Sequence, residues 1–266
     1  MKIPSGQIVA VDTDKFPTYY NVNSYTCSAQ EIVQTYGIPR YKEANPSLFT
    51  TVTFPFLFGV MFGDIAHGSL LLLFGTYLCF YGEGIKSGPL KLVVPHRYLF
   101  TLMGFFAIYC GFIYNEFLAV NLDLFGSCYD PYKVVAKNHN IIPRSSEQCV
   151  YGFGIDPVWG VTQNSLNFIN SLKMKISVII AVVHMTFGVF IKATNSLYFR
   201  RYIEFVFEFI PQLAFMLVLF GYMDFLIVFK WLKEWNQSNI PYSPSIITTM
   251  INLPLKLGKT QDCCGG

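Results

Sequence analysis

The chain has 266 residues, of which 13% are charged, against roughly 25% in an average soluble domain. Hydrophobic residues make up 53% and aromatic residues 17%, while the net charge is only +3. These values argue against a soluble globule, a disordered tail and a nucleic-acid binder, which needs a one-sided basic face, and they describe a polytopic membrane protein.

Residues 1–47 are polar and punctuated by Pro4, Pro17, Pro39 and Pro46, as expected of a short peripheral segment on the cytosolic side. The first residues, Met1 to Gly6, lack the apolar core of a signal peptide, so no cleaved leader is expected. Within the segment, Ser28 to Gly37 predicts a short helix. Ser28 would be its N-cap, Glu31 would complete a capping box and Gly37 would stop it.

Five apolar runs follow, near 48–63, 65–82, 98–115, 176–191 and 209–229. A membrane helix needs about 20 residues, and each run carries enough Leu, Ile, Phe and Val to insert. The predicted fold is therefore all-α and polytopic. A transmembrane domain over 48–235 is followed by a tail over 236–266, and one long luminal loop lies between the third and fourth spans. The first two runs form a tight hairpin broken at Gly63 to Gly68. No internal repeat is visible.

Orientation follows from the distribution of Lys and Arg in the connecting loops. Lys86, Lys91 and Arg97 lie between the second and third spans, and Lys192, Arg200 and Arg201 between the fourth and fifth. Those loops and the N-terminus are expected in the cytosol, with the 116–175 stretch and the C-terminus on the far side. Asn236 opens a glycosylation sequon on that side. Cys128 and Cys149 share the long outer loop, where they are either a disulfide or two unrelated thiols.

Charged groups inside an apolar span are costly and ask for a reason. Asp64 and His67, three residues apart at the hairpin break, suit one helical face, where they would exchange a hydrogen bond or a proton. Asp64 also reads as the N-cap of the second helix, which its negative charge favours, and the two roles are compatible. Gly59 and Gly63 form a small-xxx-small pair suited to close helix packing. His184 reads first as a buried neutral histidine and second as a proton relay. Asp224 and Glu116 lie near the outer interface, Lys230 is placed to snorkel, and Lys173 and Lys175 read as anchors at the start of the fourth span. No P-loop, GxSxG or HExxH pattern occurs, so ATP hydrolysis is not expected in this chain. Nor is a metal or other cofactor.

At the hairpin the residues become specific. Phe54 to Gly68, FPFLFGVMFGDIAHG, closely resembles the first membrane hairpin of the subunit a family of vacuolar-type proton ATPases. The resemblance includes YGIPRY at Tyr36, GFIYNE at Gly111, FGIDPVW at Phe153, NSLKMKIS at Asn170, HMTFG at His184 and LFGY at Leu219, and so covers about residues 16 to 235. Ala66 departs from the glycine usual in the family.

The resemblance implies a rotary pump in which other subunits hydrolyse ATP and turn a proteolipid ring. Subunit a stands beside the ring and supplies two aqueous half-channels. Family members carry a large cytosolic stator domain and eight membrane helices, of which this chain resembles the first five. The family's essential arginines lie on the last two helices and are not carried over to any residue here. The ending at Asp262 to Gly266 reads as that of a fragment, a truncated product or half of a split subunit. By resemblance and polarity, Asp64 is the first candidate to line the outer half-channel, followed by His67, Glu116 and Asp224. The expected function is as a component of the membrane sector of a proton-transporting ATPase. The alternative is a truncated structural or assembly subunit that binds the proteolipid ring without conducting protons; an independent small transporter is disfavoured by the lack of inverted repeats. The partners implied are the proteolipid ring, other subunits of the pump and the lipid bilayer, with no nucleic acid, in the vacuole or another acidic endomembrane.

Overall fold

The computed structural model describes residues 19–39, 42–85, 88–129, 149–160, 164–233 and 245–255. The chain divides into two compact units, Met1–Met174 and Lys175–Gly266. The first unit holds a short helix α1 (Cys27–Tyr36), an apolar hairpin of α2 (Ser47–Met61) and α3 (Ile65–Tyr81), and α4 (Arg97–Tyr114). Helix α5 (Ser165–Tyr198) begins in the first unit and continues into the second. There it is followed by a long helical rod, α6 (Tyr202–Leu232), and by α7 (Ile246–Leu255).

Among the described residues, three helical stretches are long and apolar enough to cross a membrane: Val94–Tyr114, α5 and α6. Helices α2 and α3 occupy the two predicted runs but have 15 and 17 residues, below the usual length of a span. Helix α5 starts at Ser165, well before the predicted 176, because its first turns mix Asn, Ser and Lys with apolar residues and hydropathy marks only the apolar part. Helix α6 is likewise longer than 209–229. It contains two wider i→i+5 turns, Phe205–Phe209 and Met216–Gly221. The first lies just before Pro211, whose missing N–H removes one ordinary helical hydrogen bond. Helix α7 was not predicted: its apolar run is only ten residues long. The sequon at Asn236 lies outside the described residues.

The start of α1 differs from expectation. The N-cap position is Thr26, and Ser28 lies inside the helix, 3% exposed. The Ser28 hydroxyl is drawn instead to His96 Nδ1 at 2.9 Å, and Glu31 faces His96 Nε2 at 3.6 Å. A tertiary partner thus takes the side chains that would have built a capping box. Gly37 does follow the last helical residue.

Helix α4 packs against both α2 and α3, and glycine makes the approach close. A Cβ on Gly59 would lie 2.7 Å from the Phe106 carbonyl carbon, and one on Gly63 would lie 2.8 Å from Cys110 Cβ. On the other side, Gly75 meets the Thr101 backbone and Gly104 meets the Leu72 backbone. With the backbones this near, dispersion contacts and the Phe56–Phe106 and Phe74–Phe100 ring pairs hold the three helices together.

Beyond α4 the chain turns sharply. Asn115 ends the helix in the left-handed conformation, and a two-stranded antiparallel hairpin follows, β1 (Glu116–Phe117) with β2 (Val120–Asn121). Its turn residues Leu118 and Ala119 have φ of 50° and 60°, the sign a two-residue type I′ turn requires. A disulfide joins Cys128 to Cys149, with their Cα atoms 5.7 Å apart. Nearby, the buried Asp156 carboxylate accepts from Ser127 Oγ at 2.6 Å, the Cys128 N–H at 3.0 Å and the Val158 N–H at 3.0 Å.

Candidate functional site

The α2–α3 turn places Asp64 at the N-terminus of α3, where helical N–H groups lack intrahelical partners. Asp64 is the N-cap. Its Oδ1 accepts from the N–H of Ala66 at 2.7 Å and of His67 at 3.2 Å. A third donor comes from far along the chain: the Leu118 N–H, in the tip of the β1–β2 hairpin, reaches the same oxygen at 3.3 Å. Oδ2 faces His67 Nδ1 at 3.1 Å. Asp64 is 9% exposed, whereas 68% of the His67 side chain is accessible. Burial alone would push the Asp64 carboxyl up. The hydrogen bonds from the His67 ring and from the His67, Leu118 and Ala66 N–H groups outweigh it and hold the carboxyl below its ordinary value.

A second pair stands beside this one. Lys173, on α5 within the first unit, donates to Glu116 Oε2 at 2.5 Å, and both side chains are largely buried. The ammonium also lies 4.8 Å from the centre of the Tyr114 ring, whose hydroxyl donates to the Val60 carbonyl at 2.9 Å. Such a pair, desolvated but bonded on several sides, is held in place by its geometry. Lys173 is therefore more than the interfacial anchor it resembles in sequence.

Asp64, His67, Glu116 and Lys173 converge on one cavity of about 560 Å³, otherwise lined by apolar residues including Phe58, Met61, Phe62 and Leu71. Its walls are mostly apolar with a few polar groups, a make-up shared by many ligand sites. Three of the four predicted proton-path residues thus meet at one place. The fourth, Asp224, lies on α6 in the second unit, and its buried Oδ1 has no hydrogen-bond partner among the described residues. Gly59 and Gly63 are packing residues that bring α2 against α4. Sequence reasoning missed Lys173 as a member of this site and Asn115 as the residue that ends α4 beside it. Both lie within motifs, NSLKMKIS and GFIYNE, whose spacing alone carries no sign that they meet.

A buried carboxylate at a helical turn beside a mostly apolar cavity, in a chain whose described residues include three helices long and apolar enough to cross a membrane, marks a membrane protein with an ionisable site. The profile of the V-type ATPase 116 kDa subunit family matches residues 3–264, and the chain belongs to that family. It is 38% identical over 255 residues to the V-type proton ATPase 116 kDa subunit a 1 of Xenopus tropicalis, an alignment covering 89% of this chain and 30% of the relative. It is 42% identical over 220 residues to the V-type proton ATPase subunit a3 of Arabidopsis thaliana, covering 81% and 27%. Against the 116 kDa subunit a 2 of Bos taurus the identity is 35% over 285 residues, covering 96% and 33%. The chain spans about a third of the length of the curated relatives it matches.

Proposed function

We propose that this chain contributes to proton translocation in the membrane sector of a V-type ATPase, beside a proteolipid ring in an acidic endomembrane, with ATP hydrolysed by other subunits. In this reading α2, α3, α4, α5 and α6 all cross the bilayer. The N-terminal segment faces the cytosol, and the loop holding Cys128 and Cys149 faces the lumen, where oxidation would keep the two joined. The cavity beneath the α2–α3 turn is part of the luminal half-channel. The observation that carries this is the asymmetric bonding of Asp64. Three N–H donors hold Oδ1, while Oδ2 faces an accessible imidazole. Only Oδ2 is placed to take and return a proton, and His67 passes it between Asp64 and the cavity. Glu116, bound to Lys173, lines the wall as a fixed ion pair. Asp224 is a separate candidate on α6.

The alternative, a structural subunit that assembles without conducting protons, is supported by one observation: the Asp64 oxygens are already satisfied by the fold. ATP-driven acidification of sealed vesicles separates the two readings. In a pump carrying this chain, Asp64→Asn keeps the size and cap of the side chain but removes its proton. Assembly at normal levels with proton transport reduced about tenfold or more, in the range of general acid–base effects, is the expected result. Normal assembly with unchanged transport would sink the proton-path role and leave the structural reading.

A further inference from the structure

Asn115 has no part in proton exchange as described, yet it is 1% exposed and has φ 51°. Its N–H closes α4 on the carbonyls of Gly111 and Phe112. Its own carbonyl accepts the Leu122 N–H at 2.9 Å, on the far side of the β1–β2 hairpin. Its Nδ2 donates to the Ile155 carbonyl at 2.6 Å and the Phe153 carbonyl at 3.4 Å. The end of α4, the far end of the hairpin and the distant segment 153–155 are tied to one residue. Between the two tied points, Asn115 and Leu122, lies the hairpin that carries the Glu116 carboxylate, which lines the cavity, and the Leu118 N–H, which reaches Asp64 Oδ1.

The residue type suits these tasks. Asparagine enters the left-handed region more readily than most side chains, and its amide is a donor that aspartate cannot replace. Glycine would fit the backbone but leave the two carbonyls without their donor. The tie is reinforced by Asn121 Nδ2 on the Pro157 carbonyl at 3.0 Å and the Ile155 N–H on the Ile113 carbonyl at 2.9 Å.

We infer that Asn115 is the positioning residue of the Asp64 site: it clamps the β1–β2 hairpin so that the Leu118 N–H stays on Oδ1 and Oδ2 remains the exchanging oxygen. This rests on the proton-path reading above. Releasing the clamp removes a donor that favours the charged carboxylate, so proton affinity at Asp64 rises and the pH profile of transport moves to higher pH.

The test uses the assembled pump carrying this chain, with Asn115→Gly and Asn115→Asp compared with Asp64→Asn. The glycine variant keeps the backbone conformation; the aspartate variant keeps the size but points an acceptor at two carbonyls. Two quantities are read on assembled material: amide exchange over residues 116–122 and the pH profile of ATP-driven proton transport. The expected result for both Asn115 variants is roughly tenfold faster exchange, the scale of a lost buried hydrogen bond, with the transport profile displaced to higher pH. Unchanged exchange would overturn the clamp. Faster exchange with a wild-type profile, while Asp64→Asn alters transport, would overturn the positioning role alone. If Asp64→Asn leaves transport untouched, the proton-path reading fails and the positioning role falls with it, whatever the exchange shows.

Discussion

At Asp64 the structural role and the proposed proton exchange fall on different atoms. Its Oδ1 caps α3, and removing a cap of this kind destabilises a helix by roughly 1–2 kcal/mol. Asp64→Ala should lower the thermal unfolding midpoint of the detergent-purified protein more than Asp64→Asn, which retains an accepting oxygen. The acid sensitivity has a definite sign. An unfolded aspartate titrates near about 3.9, and hydrogen bonds hold the native carboxyl below its ordinary value. Its stabilisation is therefore present above the unfolded value and is lost progressively from about pH 5 downward, as the pH falls through the lower native value. Thermal midpoints measured between pH 5 and pH 3 should fall more steeply for the native chain than for Asp64→Asn.

At the scale of elements, the first unit depends on three helices whose backbones nearly touch. Gly104 faces the Leu72 backbone, so a methyl group there must push α3 and α4 apart. Gly104→Ala is expected to cost about 1–3 kcal/mol, the range for overpacking, read as a lower unfolding midpoint in detergent. Gly188, on α5, has nothing within 4 Å of an added Cβ. Gly188→Ala should be neutral within the chain or stabilise α5 by up to about 1 kcal/mol through helix propensity. The same separation of roles runs through the loop beyond α4. Asp156 fastens the segments that carry Cys128 and Val158, and Asn115 fastens the hairpin to the helix. Intrinsic strand preference in a two-residue β1 and β2 is too small to do either.

At the scale of the whole molecule, the proposed orientation rests on charge outside the helices. The basic residues Arg200 and Arg201 sit between α5 and α6, and the proposed topology puts them in the cytosol with Cys128 and Cys149 in the lumen. In sealed, cytosol-side-out vesicles, a cysteine introduced by Arg200→Cys should react with a membrane-impermeant maleimide. Cys128 and Cys149 should resist it until the vesicles are opened and reduced. Labelling of a Phe125→Cys variant in the sealed vesicles would reverse the topology.

The one-dimensional pattern was sufficient for much of this. Apolar runs located α2, α3 and α4 to within a residue or two, because transfer of a side chain into lipid depends on its own chemistry and its neighbours in sequence. Asp64 could be read as a cap for the same reason: its donors at Ala66 and His67 are two and three residues away. Family membership was legible in motifs strung along the chain. The tertiary structure alone decided the rest. Ser28 forgoes capping because His96, distant in sequence, offers a partner, and α5 extends into polar sequence that hydropathy does not mark. Lys173 becomes the counter-ion of Glu116, and the Leu118 N–H arrives as the third donor on Asp64, only because the chain turns at Asn115 and folds back. Local propensity acts over a few residues, whereas a buried charge is satisfied by whatever donor the fold brings to it, and that donor's place along the chain is not written in the charge itself.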